Sequence, residues 1–132
     1  MGLDNGIRIK GMLEEDKKKI PYYNDDMAEY LDDGEIEPVY WRKCWGLRGV
    51  VLSVLHMGQE VYQKGIDPDD IPALIRGLKP FLSRDYWDEN ADSIWEYDEY
   101  FEHFYKNIIF LEWFKEYYKE HPDLKVYFYD SY

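Results

Sequence analysis

The stretch from Ser93 to Glu120 constrains this chain more than any other part of it. Ser93 and Glu96 stand three apart in capping-box form, directly before an apolar-periodic run. Ile94, Tyr97, Phe101, Phe104, Ile108, Leu111 and Tyr118 recur at spacings that put them on one broad helical face. His121-Pro122 closes the run, because a residue before proline resists the helical region. The spacing predicts a single helix over about 93–120, roughly 40 Å long at about 1.5 Å per residue. In a chain of 132 residues, most of what remains must cover that rod.

Two segments near the ends read as strands. Leu124 to Tyr129 alternates and is rich in aromatic and β-branched residues. Leu3, Ile7 and Ile9 alternate weakly with Arg8 and Lys10, with a turn or bulge expected at Asn5-Gly6. A two-stranded ribbon is marginal alone. The terminal strands are therefore expected to pack on the long helix, pairing with each other or with a third strand within residues 10–40. Residues 14–38 carry ten acids against three lysines and are punctuated by Pro21, Gly34 and Pro38. They read as an acidic, loop-rich arm with a helical turn at Asp26–Leu31.

Residues 40–63 give a helix signal through Trp41, Trp45, Val51, Leu52 and Leu55. Gly46, Gly49 and Gly58 weaken it by about 1 kcal/mol each against alanine. Glycines 46 and 49 would instead let another backbone approach. Asp67-Pro68-Asp69-Asp70 is expected to start a short helix through Leu74, Ile75 and Leu78, ending near Pro80. The expectation is one α+β domain over 1–132, with about three helices packed on a small antiparallel sheet formed by the terminal strands.

Charge narrows the partners. Sixteen basic against 28 acidic residues give a net charge of −12, which repels nucleic acid and anionic membranes and attracts basic surfaces. Direct nucleic-acid binding is not expected. The longest apolar run, around Val50–Leu55, is too short to span a membrane. The single Cys44 allows no intramolecular disulfide, and residues 1–6 hold no apolar run; both point to a cytoplasmic protein. Aromatics make up 19%. They either replace aliphatics in a small core or serve an interface, so a homodimer is one expectation.

Motifs for chemistry are sparse. There is no glycine-rich phosphate loop. His56, His103 and His121 are scattered and accompanied by one cysteine, without zinc-ligand spacing. Ser53, Ser83, Ser93 and Cys44 lack the flanking signatures of nucleophiles. No catalytic residue, metal or cofactor is assigned. Asp98 with Glu102, and Glu99 with His103, lie four apart on helix faces and could do acid–base work or hold a hard cation; a solvated face is the simpler account. Asp85, Asp88, Glu89, Asp92, Asp98, Glu99 and Glu102 make a candidate acidic surface. Helical carboxylates about 5–6 Å apart would mimic the phosphates that a basic groove accepts. Trp41-Arg42-Lys43 is the one basic, aromatic knot, suited to stacking a base and holding a phosphate, unless Trp41 is core and Arg42 pairs with a local acid.

Met1-Gly2-Leu3-Asp4, Tyr40-Trp41-Arg42-Lys43, Tyr97-Asp98-Glu99-Tyr100-Phe101 and Val126-Tyr127-Phe128-Tyr129-Asp130-Ser131-Tyr132 occur in that order. The chain thereby resembles a family of small bacteriophage and prophage proteins with an N-terminal Gly-Leu-Asp motif, a Tyr-Trp-Arg-Lys motif and a Tyr-rich terminal strand. It departs where Leu47-Arg48 stands in place of an Ile-His pair, and in ending on Tyr132 rather than Trp. The resemblance implies a phage protein in a bacterial host cytoplasm. Three functions follow as expectations. The first is an acidic binding protein that interferes with a host protein of basic surface, such as a defence or nucleic-acid enzyme. The second is a binder or sponge for a small nucleotide signal, with Asp4, Trp41, Arg42, Lys43, Tyr97, Tyr100, Tyr127 and Tyr129 as candidate ligand residues. The third is a carboxylate- or metal-dependent enzyme.

Overall fold

The structure, a computed structural model, describes residues 4–28, 34–42, 44–56, 63–83 and 94–131, with the side chains of 28, 45 and 94–100 outside that description. Strand β1 (Asp4–Lys10) lies inside a four-stranded antiparallel sheet of order β2-β1-β4-β3. Its neighbours are β2 (Glu35–Arg42) and β4 (Lys125–Ser131), and β3 (Gln63–Gly65) flanks β4. The terminal strands do pair, from Asp4 opposite Ser131 to Lys10 opposite Lys125. The third strand falls largely within residues 10–40, as expected.

Asn5-Gly6 is not a turn but lies within β1. The irregularity comes two residues later. The register with β2 shifts between Ile7 and Ile9, so Arg8 faces an extra residue in β2, a β-bulge at Glu37-Pro38. Proline is tolerated there because β2 is an edge strand, where its missing N–H costs no ladder bond. The helix expected from residue 40 begins later, as α2 (Trp45–Val54). Ile36, Val39 and Trp41 instead turn inward from β2 and are buried, with Trp41 stacked on Phe128 of β4 at 5.9 Å.

Four α-helices lie among the described residues: α1 (Glu14–Lys17), α2, α3 (Asp70–Leu78) and the long α4 (Ile94–Glu120). Phe104, Ile108, Leu111 and Tyr118 of α4 are buried as their spacing predicts. Phe110 and Phe114 join them, with ring centroids 5.2 Å apart, and widen the stripe. Helix α3 packs against both α2 and α4, and α4 packs against β2. The close approach is not at Gly46 or Gly49, where an added Cβ would meet nothing within 4 Å. It is at Gly77, whose Cβ would stand 3.1 Å from Val50 and Val54 of α2.

Helix α3 ends at Leu78 and continues as a 3-10 turn, Lys79–Leu82, around Pro80. The acidic arm holds α1 and a second 3-10 turn, Asp25–Ala28, at the start of the expected helical turn; residues 29–33 lie outside the described residues, as does Ser93. Tyr117 of α4 anchors the arm by donating to Asp16 Oδ2 at 2.7 Å. Tyr118 donates to Ile66 O beside β3 at 2.7 Å. No described helix is long and apolar enough to cross a membrane.

Candidate functional site

Strand alternation sorts the sheet into two faces. Asn5, Ile7, Ile9, Val126, Phe128 and Asp130 point inward and are buried. Two of these are polar, and a third polar group meets them. Arg48 of α2 places Nε 2.9 Å from Asp130 Oδ1 and a terminal nitrogen 3.0 Å from Oδ2, while Asn5 Nδ2 donates to Oδ1 at 2.6 Å. Arg48 stands where the motif noted above departs from Ile-His, and it is a buried structural cation rather than a ligand group.

The outer face carries Asp4, Arg8, Tyr127 and Tyr129, with Tyr40 and Arg42 beside them on β2. Arg8 donates to Glu37 Oε2 at 2.8 Å and lies over the Tyr129 ring at 4.0 Å. Glu37 is folded over Gly6, whose missing side chain makes the room: a Cβ there would stand 2.5 Å from Glu37 Oε2. Burial holds the Glu37 carboxyl above the ordinary carboxylate range despite Arg8. Tyr127 donates to Glu35. Tyr40 donates to Asp4 Oδ1 at 2.5 Å, and burial together with that carboxylate pushes its phenol up to about 12.

Of the residues expected to form a ligand site, the structure therefore brings Asp4, Arg42, Tyr127 and Tyr129 onto one sheet face. Arg42 is exposed, with Nε 3.5 Å from Asp4. Trp41 is on the opposite face at 1% exposure and offers no ring for stacking. Lys43 lies outside the described residues, and Tyr97 and Tyr100 lie on α4 with undescribed side chains. The open cationic pocket expected around Trp41-Arg42 is thus not formed by the described members. In the acidic set, Asp85, Asp88, Glu89 and Asp92 lie outside the described residues. Asp98 and Glu99 are on the first turns of α4 with undescribed side chains, and Glu102 bonds Lys106 at 2.8 Å. That bond holds the Glu102 carboxyl below its ordinary range.

A cleft of about 490 Å³ opens instead at the free edge of β2. Its walls are Pro21, Tyr22, Asn24, Asp26 and Met27 of the arm, the β2 edge from Glu37 to Tyr40, and His103, Lys106 and Asn107 of α4. Tyr22 and Tyr40, both lining it, are 55% and 53% exposed. Tyr22 adopts a left-handed backbone at φ 61°, a conformation that costs a non-glycine residue about 1–3 kcal/mol. Lys106 Nζ lies 5.6 Å from the Tyr22 ring centroid. Asn107 is buried, and its Oδ1 has no hydrogen-bond partner among the described residues, an omission worth about 1–3 kcal/mol of destabilisation.

Sequence reasoning missed the cleft because its walls come from three distant segments. Two signals bore on it: Asn107 is the one amide among the inward apolar residues of α4, and Tyr22-Tyr23 follows a proline in an otherwise polar arm. Among the described residues no three His, Cys, Asp or Glu side chains converge on a position for a metal ion. Comparison of the chain with protein-family models, with curated proteins and with solved structures gives no match.

Proposed function

We propose that this protein is a small-ligand-binding protein whose site is the cleft between the arm, the edge of β2 and α4. The cleft itself carries the reading. Its volume of about 490 Å³ falls within the range of about 300–1,000 Å³ typical of small-molecule sites. Two tyrosine rings stand exposed in it, and strained backbone holds one of them there. Strain of this kind clusters at ligand clamps. The class of function matches one expectation from the sequence, while the location moves from Trp41-Arg42 to the free edge of β2. The test is a thermal-shift screen over small aromatic compounds of varied charge. A compound that raises the melting temperature should lose its effect in Tyr22→Ala and Tyr40→Ala, with circular dichroism unchanged. A screen in which nothing stabilises the protein sinks the reading.

A second reading is favoured by the −12 charge and by the high exposure of Glu14, Glu102 and Glu116. In it, the acidic surface occupies the basic groove of a host protein, as the phage resemblance would lead one to expect. Affinity purification from bacterial lysate, washed at rising salt, checks it. A basic nucleic-acid enzyme retained at low salt and released at high salt would support the reading; a partner whose affinity ignores salt would refute it.

A further inference from the structure

One wall of the cleft is the free edge of a sheet, and backbone alternation says which groups stand on it. Ile66 N–H donates to Val126 O at 2.8 Å. Val126, Phe128 and Asp130 therefore turn their backbone groups toward β3, while Tyr127, Tyr129 and Ser131 turn theirs toward β1. Their partners on β1 are Arg8, Gly6 and Asp4, which leaves Ile7 and Asn5 to bond Val39 and Trp41 of β2. Tyr40, between those two, holds its own N–H and C=O on the side away from β1. It lines the cleft, and among the described residues no backbone group of the arm or of α4 bonds to it.

The wall charges ask for no charged ligand, since Glu37 is held by Arg8 and Lys106 by Glu102, each at 2.8 Å. The unmatched features are a backbone donor and acceptor side by side on Tyr40, with the exposed side chains of Tyr22 and Tyr40 near them. A donor and an acceptor at that spacing are what one strand offers another. Pro38 brings no N–H, and the bulge bends the strand at that point. Pairing along this edge is therefore confined to the residues beyond Pro38, which suits a short segment and not the long edge of a second sheet. We infer that the cleft takes an uncharged, extended peptide segment of another protein, a few residues long, which pairs with Tyr40 as an added strand and lays alternate side chains against Tyr22 and Met27. The inference rests on the cleft being a ligand site and names the ligand class; it replaces the nucleotide expected from the sequence.

The probes are mixtures of acetylated, amidated pentapeptides with Val, Ile, Thr, Tyr or Ser at each position, added to the full chain and followed by amide hydrogen exchange. Exchange of the Tyr40 amide should slow by about tenfold or more, while Gln63–Gly65, at the other free edge of the sheet, should not change. In a peptide recovered from the mixture, N-methylation of the residue opposite Tyr40 should weaken binding by about tenfold. N-methylation of its two neighbours should be tolerated, because their N–H groups point away from the sheet. Protection at Gln63–Gly65 instead of Tyr40 overturns the inference, and so does binding that N-methylation affects equally at every position. A mixture without effect also overturns it. If small aromatic compounds still stabilise the protein through Tyr22 and Tyr40, the cleft stands as a site for them alone. If that screen is unresponsive too, the cleft reading falls with the peptide.

Discussion

Arg48 holds both carboxylate oxygens of Asp130, 82 residues further along the chain, at 2.9 and 3.0 Å, with 7% and 0% of the two side chains exposed. The pair ties α2 to β4 across the inner face of the sheet, and Asn5 adds a third group from β1. Two buried charges meet in a bidentate geometry in which each satisfies the other. Such pairs contribute little net stability over a well-packed apolar pair, but removing one partner strands a charge.

Arg48→Met and Asp130→Asn are each expected to lower the unfolding free energy by about 3–5 kcal/mol. The double variant Arg48→Met/Asp130→Leu should lose less than the sum of the single losses. Urea unfolding measures all three. Additive losses would show that the pair does not act as a unit.

Two glycines should respond oppositely to alanine. At Gly6 the new Cβ would stand 2.5 Å from Glu37 Oε2 and 2.9 Å from the backbone oxygen of Val39. The carboxylate can swing away and the backbone cannot, so Gly6→Ala should cost about 1–3 kcal/mol. Gly49, inside α2 with open space at its Cβ, should gain about 0.5–1 kcal/mol as alanine. Thermal unfolding of the two variants side by side checks the contrast.

Alkaline pH should destabilise the fold through its tyrosines. Burial and the Asp4 carboxylate raise the Tyr40 phenol from its ordinary value of 10.0 to about 12. Tyr117, through burial and Asp16, and Tyr127, through burial and Glu35, move the same way. A raised pKa means that the folded state holds the proton more tightly than the unfolded state. The stability this provides is fully present below the unfolded value and is lost as pH climbs through the folded one. For Tyr40 that window runs from 10.0 to about 12. Absorbance titration of tyrosinate should show a component near the upper limit that disappears in Tyr40→Phe.

Salt should stabilise the protein. With a net charge of −12, self-repulsion outweighs the few exposed pairs such as Lys106–Glu102 and Lys119–Glu116. Raising ionic strength from about 0.01 M to about 1 M shortens the screening length from about 30 Å to about 3 Å, and the melting temperature is expected to rise. A fall would mean that the surface pairs dominate.

The helix over 94–120 and the pairing of the terminal strands could be read from the residues because each rests on a long, regular pattern. Strand β2 was hidden by Glu35, Glu37 and Pro38, which look like loop residues until Arg8 and Tyr127 cover the two carboxylates and the bulge takes the proline at an edge. Strand β3 is Gln63-Lys64-Gly65, with no strand signal of its own; its partner β4 supplies the order. In the site, Asp4, Tyr127 and Tyr129 were named through the motifs that carry the resemblance, and strand alternation accounts for their sharing one face. Asp130 shares the parity of Val126 and Phe128, which marks it as an inward charge in need of a cation, but only the fold says that Arg48 supplies it. The cleft depends on how the arm folds back on α4, and no local periodicity encodes that.

The pairing of β1 with β4 also bears on synthesis. Residues 4–10 are synthesised well before residues 125–131, which form one of their two neighbours in the sheet. At about 5–20 residues per second, β1 can pair only with β2 for on the order of ten seconds, with its β4-facing edge bare. Sequence-distant pairing of this kind is slow to nucleate. With ten acids against three lysines in residues 14–38, the emerging chain carries a net negative charge, so nascent copies on neighbouring ribosomes repel each other while that edge waits for its partner.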